Sequence, residues 1–269
     1  MLLTSEQIIK YIEARHLKDG GYFFANIEPS SGADTYYAVK TLKMLGAKLK
    51  NPESIVKFFQ GLKKDQSLSD ITGIFFAVET ICELGYQLSW LKKQAHNTVE
   101  AAKNEKGGFG QIGELYVESV SELETTYRAI IIARHFDFKL DINALKRFIL
   151  SFRNADGGYG SYGLSFLPTT FYAVSSLLDL NLKSQAVWSL EFLKVQEERN
   201  ISLFFLEDIY WLYESLYNLG SEVKDKEKIA DYLEGCQRNI GGFGRSPSLA
   251  IATFQDTFYA VSLIKHLEL

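Results

Sequence analysis

Several features that would assign a protein to a particular class are scarce or missing in this sequence. Only two of its 269 residues are cysteines, so a disulfide scaffold is excluded, and no CxxC pair offers a structural metal site. Lys and Arg number 29 against 33 Asp and Glu, which gives no basic excess for binding nucleic acid or an anionic membrane. No run of about 18 uncharged apolar residues could span a membrane, and the charged N-terminal segment does not resemble a signal peptide. We therefore predict a cytoplasmic protein with no nucleic-acid partner and no membrane span.

What the sequence does contain is a repeat. Two segments recur, a glycine pair followed by an aromatic residue and, behind it, an apolar segment rich in aromatic residues. The glycine pairs begin at Gly20, Gly107, Gly157 and Gly241. The apolar segments begin at Asp34, Gly73, Glu124, Thr169, Asp208 and Asp256. Their period of roughly 44 residues is typical of repeats built from one supersecondary unit.

Each repeat predicts two helices of different character. Residues 142–152 have apolar side chains on one face only, as expected of an outer amphipathic helix. Residues 171–178 are apolar nearly all round, as expected of a helix buried on several sides. The last repeat, residues 256–269, is as apolar as the middle ones, whereas an open solenoid would end in a polar-faced repeat. We therefore predict an all-α fold, an (α/α)6 barrel of six helical hairpins that forms a single domain from residue 1 to residue 269.

Two of the repeats resemble those of a known family. FILSFRNADGGYG followed by PTTFYAVSSL, and YLEGCQRNIGGFG followed by QDTFYAVSLI, are similar to the repeat of the protein prenyltransferase β subunits and the squalene and terpenoid cyclases. The resemblance covers essentially the whole chain. It implies an α/α toroid, a deep aromatic-lined cavity for isoprenoids and, for the transferases, a helical partner subunit.

The residues that perform the chemistry of that family are mostly absent. The resemblance implies zinc ligands of the types Asp, Cys and His, and the matching residues here are Asp208, Tyr210 and Asp256. The segment before Asp208 also lacks the cations that hold diphosphate in the transferases, and the DxDD acid motif of the cyclases does not occur. We therefore predict no zinc site and no other cofactor, and the sequence leaves open whether the protein is an enzyme.

Carboxylates form the first group of candidate site residues. The alignment of repeats places Asp34, Glu124, Asp208 and Asp256 at the starts of inner helices. In that position a carboxylate often caps its own helix. Carboxylates that converge at one mouth of a barrel also repel each other, and a raised pKa would let one of them act as acid, base or cation ligand. We take Asp208, Asp256 and Glu124 as candidate catalytic residues and Asp34 as a candidate ligand-binding residue.

Aromatic residues form the second group, at two adjacent positions of each inner helix. The alignment treats one set as equivalent: Tyr37, Phe76, Tyr127, Tyr172, Trp211 and Tyr259. Neighbours on a helix point about 100° apart, so only one member of each pair faces the lumen, and the sequence does not say which. The candidate ligand-binding aromatics are Tyr36, Phe75, Phe171, Tyr210 and Phe258. Packing between helical layers is the alternative role for these rings.

Three functions remain open at this point. The first is the handling of an isoprenoid or other lipophilic ligand in the central cavity. The second is a non-catalytic scaffold for a lipid or a helical partner subunit. The third is a glycosidase that uses two of the carboxylates. The two cysteines, Cys82 and Cys236, are interpreted as small packed hydrophobes with no adjacent base.

Overall fold

The computed structural model describes residues 2–65, 67–110 and 119–269. Six helices of this part of the chain form an inner layer: α2 (Gly32–Met44), α4 (Ile71–Glu83), α6 (Ser119–Phe136), α8 (Leu167–Asp179), α11 (Leu206–Leu219) and α13 (Phe254–Leu267). The outer layer consists of α1 (Ser5–Glu13), α3 (Pro52–Lys64), α5 (Ser89–Ala101), α7 (Ile142–Leu150), α9 (Lys183–Ala186), α10 (Leu190–Glu197) and α12 (Lys226–Cys236). A 3₁₀ turn, Val187–Ser189, joins α9 to α10, so that one outer position is occupied by a broken helix. Two short antiparallel strands, β1 (Phe243–Gly244) and β2 (Ala252–Thr253), precede α13.

The inner helices close into a ring. Each one contacts the next in the order α2, α4, α6, α8, α11, α13, and α13 contacts α2 again. The outer helices bury one face against this ring, as α7 does with Leu145, Phe148 and Ile149. The predicted all-α barrel of six hairpins is confirmed. No helix among the described residues is long and apolar enough to cross a membrane.

The four glycine pairs form tight turns, and each turn is hydrogen-bonded to the inner helix that follows it. Gly157 has a φ of +85°, and a Cβ atom there would lie 2.4 Å from the carbonyl oxygen of Trp188. The backbone N–H of the following Tyr159 donates to Oγ1 of Thr170 at 3.0 Å. The same bond joins Tyr22 to Thr35, Phe109 to Thr126 and Phe243 to Thr257.

This repeated bond corrects the alignment of α6. Because Thr126 accepts the bond that Thr35 accepts in α2, Tyr127 is equivalent to Tyr36, not to Tyr37. The prediction that placed Glu124 at the start of an inner helix is therefore wrong, and Thr125 is the equivalent of Asp34. Two consecutive threonines allow two registers in the sequence, and α6 begins more than one turn before the repeat does.

The ring closes through a seam between α1 and the last repeat. The hydroxyl of Tyr11 donates to the carbonyl oxygen of Ala252 at 3.0 Å, and its ring meets that of Phe254 edge-on at 5.6 Å. Gly242 leaves room for this ring, since a Cβ atom there would lie 2.6 Å from it. The first helix of the chain is thus packed against the last turn.

Candidate functional site

The barrel has a pocket at the mouth formed by the N-terminal ends of its inner helices. Its volume is about 420 Å³, and we call it the mouth pocket. Its lining residues include Asp34, Tyr37, Glu207, Trp211, Arg245 and Asp256. They come from α2, α11, α13 and the loop between β1 and β2, so closure of the ring is what brings them together.

Two carboxyl groups of the mouth pocket are held in an environment that disfavours their charge. Burial raises the pKa of Asp34 to about 6, although its bond with Ser31 opposes the shift. Burial also raises the pKa of Asp256 to about 6, against a hydrogen bond from the Thr253 hydroxyl to its Oδ2 atom at 2.6 Å. Both carboxyls therefore change charge close to neutral pH.

Arg245, a cation in the wall of this pocket, already has a partner. The guanidinium Nε of Arg245 donates to both carboxylate oxygens of Glu207, at 3.0 and 2.8 Å, and the guanidinium lies over the ring of Phe205. The pair leaves Asp34 and Asp256 without a full counter-charge.

Below the mouth, aromatic rings form a closed floor. Tyr36, Phe75, Tyr127, Phe171, Tyr210 and Phe258 contact one another in order around the barrel, with ring centroids 5.5 to 6.5 Å apart. Five of the six are the predicted ligand-binding aromatics, and their rings pack against each other and against aromatic rings of the tier above. The tier above the floor consists of Tyr37, Phe76, Arg128, Tyr172, Trp211 and Tyr259. Two of these, Tyr37 and Trp211, line the mouth pocket, and the sequence interpretation did not select them.

Arg128 is the one member of that upper tier that is not aromatic. It occupies the position of Tyr37 in its own helix, and its guanidinium lies over the rings of Phe75 and Phe76 at 5.6 and 5.4 Å. Nη2 donates to Glu124 and Nη1 to the Thr72 hydroxyl. Glu124 also accepts a bond from the Tyr172 hydroxyl at 2.7 Å. The candidate acid Glu124 is thus engaged with a cation and a phenol.

Asp208, the third candidate acid, faces a different cavity. Its Oδ2 atom accepts the backbone N–H of Phe205 at 3.0 Å and so caps α11. It lines a groove of about 840 Å³ together with Phe166 and Phe204, which we call the outer groove. Burial raises the pKa of Asp208. Asp208 and Asp256 lie on adjacent inner helices, but they line separate cavities.

The three residues that match the zinc ligands of the resembling family have other roles in this structure. A catalytic zinc needs three ligands that converge on one point. Tyr210 instead stacks on Tyr259, with centroids 4.2 Å apart, while Asp208 caps its helix. Among the described residues, no group of three or more His, Cys, Asp or Glu side chains is arranged to hold a metal ion. The residues at these positions do not fit zinc.

At the opposite mouth, formed by the C-terminal ends of the inner helices, lysine and histidine side chains contact buried glutamates. Lys40 Nζ lies 2.8 Å from Glu79, and His135 Nε2 contacts the same carboxylate. His266 Nδ1 lies 2.6 Å from Glu214, which is buried. Burial opposes the charge on Glu79, but the bond from His135 and the charge of Lys40 outweigh it and lower its pKa to about 2.

Comparison with known proteins agrees with this architecture. The sequence matches the family profile of the prenyltransferase alpha-alpha toroid domain over residues 3–199 and 195–268. A search of curated proteins finds no match. The fold is similar to that of Candida albicans protein geranylgeranyltransferase-I, solved in complex with GGPP. The TM-score is 0.69 and the identity 17%, over 100% of this chain and 92% of the other.

Proposed function

Because the chain belongs to the prenyltransferase α/α-toroid family, we propose that it binds an isoprenoid or a similarly apolar ligand in the mouth pocket. The observation that supports this most directly is the aromatic wall of Tyr37 and Trp211 above a floor of six rings. The pocket volume of about 420 Å³ lies within the range of small-molecule sites. The similar structure solved with GGPP supports the same class of ligand.

The charges around the pocket favour a ligand with a neutral head. A diphosphate would approach two carboxyls, Asp34 and Asp256, that are largely ionised above pH 6. The guanidinium of Arg245 is engaged by Glu207 and would have to leave that carboxylate to bind a phosphate. An isoprenoid alcohol meets neither obstacle, since its hydroxyl can bond to a carboxylate oxygen.

We also propose that binding proceeds without the zinc-dependent transfer of the family. That reaction needs a thiolate-activating metal, and Asp208, Tyr210 and Asp256 do not supply a ligand set for one. The structure gives no support to a glycosidase that uses two carboxylates. Asp208 and Asp256 line separate cavities, and Glu124 is paired with Arg128.

The test is a thermal-shift comparison of geranylgeraniol with geranylgeranyl diphosphate at pH 7.5. The alcohol should stabilise the protein by about 2.7 kcal/mol at 100 times its Kd, and the diphosphate should do so only at higher concentration. Trp211→Ala should abolish the shift, because it removes a wall of the pocket. Trp188→Ala is the matched control, since Trp188 lies exposed on the outer surface.

The doubly substituted Asp34→Asn, Asp256→Asn protein isolates the electrostatic part of the argument. It should accept the diphosphate at lower concentration than the unsubstituted protein, because two carboxylates become neutral amides. A diphosphate that stabilises the unsubstituted protein better than the alcohol would contradict the neutral head. A ligand shift that survives Trp211→Ala would contradict the site.

Partner binding is a second candidate, and the outer groove favours it. This groove is walled by apolar side chains such as Leu164, Phe166 and Val195, and nearby Leu203 is 77% exposed. Native mass spectrometry of the protein from its own source separates the two functions. A protein partner lost on Phe166→Asp would support the scaffold, whereas a small apolar molecule lost on Trp211→Ala would support ligand binding.

A further inference from the structure

The outer groove contains a polar side chain that is buried without a partner. Gln196 of α10 is only 6% exposed, and its side-chain amide makes no hydrogen bond among the described residues. Gln196 lines the groove and also a smaller pocket of about 210 Å³, which shares Arg199 and Phe204 with the groove. A buried amide without a partner is costly to a fold, and in native proteins such a group calls for an explanation.

The sequence of α10 explains why Gln196 lies deep in the groove. Phe192 and Gln196 are four residues apart and both are buried, so they form an inner row on the face of the helix that lines the groove. Glu191, Val195 and Arg199 follow the same spacing and are exposed, so they form the rim. The unpartnered amide therefore lies at the bottom of the groove, while the charges that follow α10 lie at its edge.

A carboxyl group from the neighbouring helix faces the same groove. Asp208 of α11 is half-buried, and α10 packs directly against α11. The only hydrogen bond to its carboxylate among the described residues comes from the backbone N–H of Phe205. The nearby guanidinium of Arg245 is engaged by Glu207. Burial raises the pKa of Asp208, because its charge has lost water without gaining a full partner.

The other charges around the groove do not supply that partner. Glu191 and Arg199 on the rim have opposite charges, and Asp156 on the far side accepts a hydrogen bond from the Ser165 hydroxyl at 2.7 Å. Three carboxyl groups and one guanidinium thus line the groove, which leaves it negative. The charged side chains of the smaller pocket balance one another: Glu197 pairs with Lys194, Glu198 pairs with Lys224, and Asp225 lies three residues before Lys228.

We propose that the outer groove is a binding site for small apolar amines in their protonated form. The ammonium group donates to the Asp208 carboxylate and to the side-chain carbonyl oxygen of Gln196, two acceptors that lack a side-chain donor. The apolar body of the ligand packs against Phe166, Phe192 and Phe204, and the faces of such rings also attract a cation. The groove volume of about 840 Å³ lies within the range of small-molecule sites. The groove shares no lining residue with the mouth pocket.

The test is isothermal titration calorimetry at pH 7.5 with 4-phenylbutylamine, with 4-phenylbutanol as its neutral counterpart and 4-phenylbutyrate as its anionic one. The amine should bind about tenfold more tightly than the alcohol, because only the amine brings a positive charge to Asp208, and the anion should bind most weakly. Asp208→Asn keeps an oxygen that can cap α11 but removes the charge. It should weaken amine binding about tenfold and leave alcohol binding unchanged.

Asp70→Asn is the matched control for that substitution. Asp70 also caps an inner helix, at the start of α4, and it lies outside the outer groove. Amine binding should therefore be the same in Asp70→Asn as in the unsubstituted protein.

Gln196→Leu tests the second acceptor with two readouts. Leucine needs no hydrogen bond, so thermal unfolding should show a variant at least as stable as the unsubstituted protein. The same variant should bind the amine several-fold more weakly, because the ammonium group loses an acceptor. A residue that serves only the packing of α10 would change stability and leave amine binding as it was.

Three results would overturn the proposal. The first is equal affinity for the amine and the alcohol. The second is unchanged amine affinity in a folded Asp208→Asn variant or, if that variant does not fold, in Gln196→Leu. The third is amine binding that is lost on Trp211→Ala and kept on Asp208→Asn, because the amine would then occupy the mouth pocket. None of these results affects the test of the mouth pocket with geranylgeraniol, so the two proposals fail separately.

Discussion

Asp256 is the most deeply buried of the carboxyl groups that line the mouth pocket. The Thr253 hydroxyl and a guanidinium group replace only part of the water that would solvate its ionised carboxylate. Because the carboxylate is incompletely solvated, the pKa of Asp256 is raised to about 6. An incompletely solvated carboxylate at a pocket wall lowers the stability of the fold, and such groups are more common at functional sites than elsewhere.

We predict that Asp256→Asn stabilises the protein at neutral pH. Below the ordinary carboxyl pKa of 3.8 the group is protonated in both the folded and the unfolded chain and contributes nothing. Between about 4 and 6 the unfolded chain ionises first, so the folded state loses stability as pH rises, and above 6 the loss is complete. Urea unfolding should show a gain for the variant at pH 7.5 and almost none at pH 3.5.

Asp70→Asn is the control for that measurement. Asp70 caps α4 by accepting the backbone N–H of Gly73 at 2.7 Å, and asparagine caps a helix about as well. It should therefore give little change at either pH. An equal gain for Asp256→Asn at both pH values would contradict a charge-based penalty.

At the scale of the elements, the bond between each turn and its inner helix is the unit that repeats. In the third turn of this kind, Thr170 is fully buried and accepts the Tyr159 N–H. We predict that Thr170→Val lowers the free energy of unfolding by about 1–3 kcal/mol, because the buried N–H loses its partner without access to water. Thr170→Ser keeps the hydroxyl and should lose about 1 kcal/mol for the missing methyl group. Denaturant unfolding of the two variants measures both losses of unfolding free energy. Equal losses would show that the effect comes from packing and not from the hydrogen bond.

The same elements show what the sequence determines and what it does not. Helix type followed from residue patterns, because a helix apolar on all sides, such as α13, has no alternative to the inner layer. The register of α6 could not be predicted from the sequence, because Thr125 and Thr126 fit the repeat equally well. Only the hydrogen bond from Phe109 identifies Thr126 as the equivalent residue. The direction of the Asp208 side chain could not be predicted either, because its carboxylate turns back to cap its own helix. That Cys82 and His135 line the same pocket depends on how α4 and α6 pack side by side, which local sequence patterns do not encode.

At the scale of the whole molecule, the seam joins the two ends of the chain together with the contact between α13 and α2. We predict that Tyr11→Phe lowers the free energy of unfolding by about 1–3 kcal/mol, since the carbonyl of Ala252 loses a buried donor. Tyr159→Phe is a matched control, because the Tyr159 hydroxyl is buried with no hydrogen-bond partner among the described residues. Its removal should be neutral or stabilising. Thermal unfolding of the two proteins tests the pair, and a loss for Tyr159→Phe as large as that for Tyr11→Phe would show that the seam bond is not special.

The seam also has a consequence for how the chain is made. Tyr11 leaves the ribosome long before Phe254 does, so the nascent protein must exist for most of its synthesis as an incomplete arc. Throughout that interval the floor rings already synthesised lack some of the ring neighbours that they contact in the finished barrel. A chaperone that shields aromatic surface during translation would therefore be needed most just before the last helix emerges.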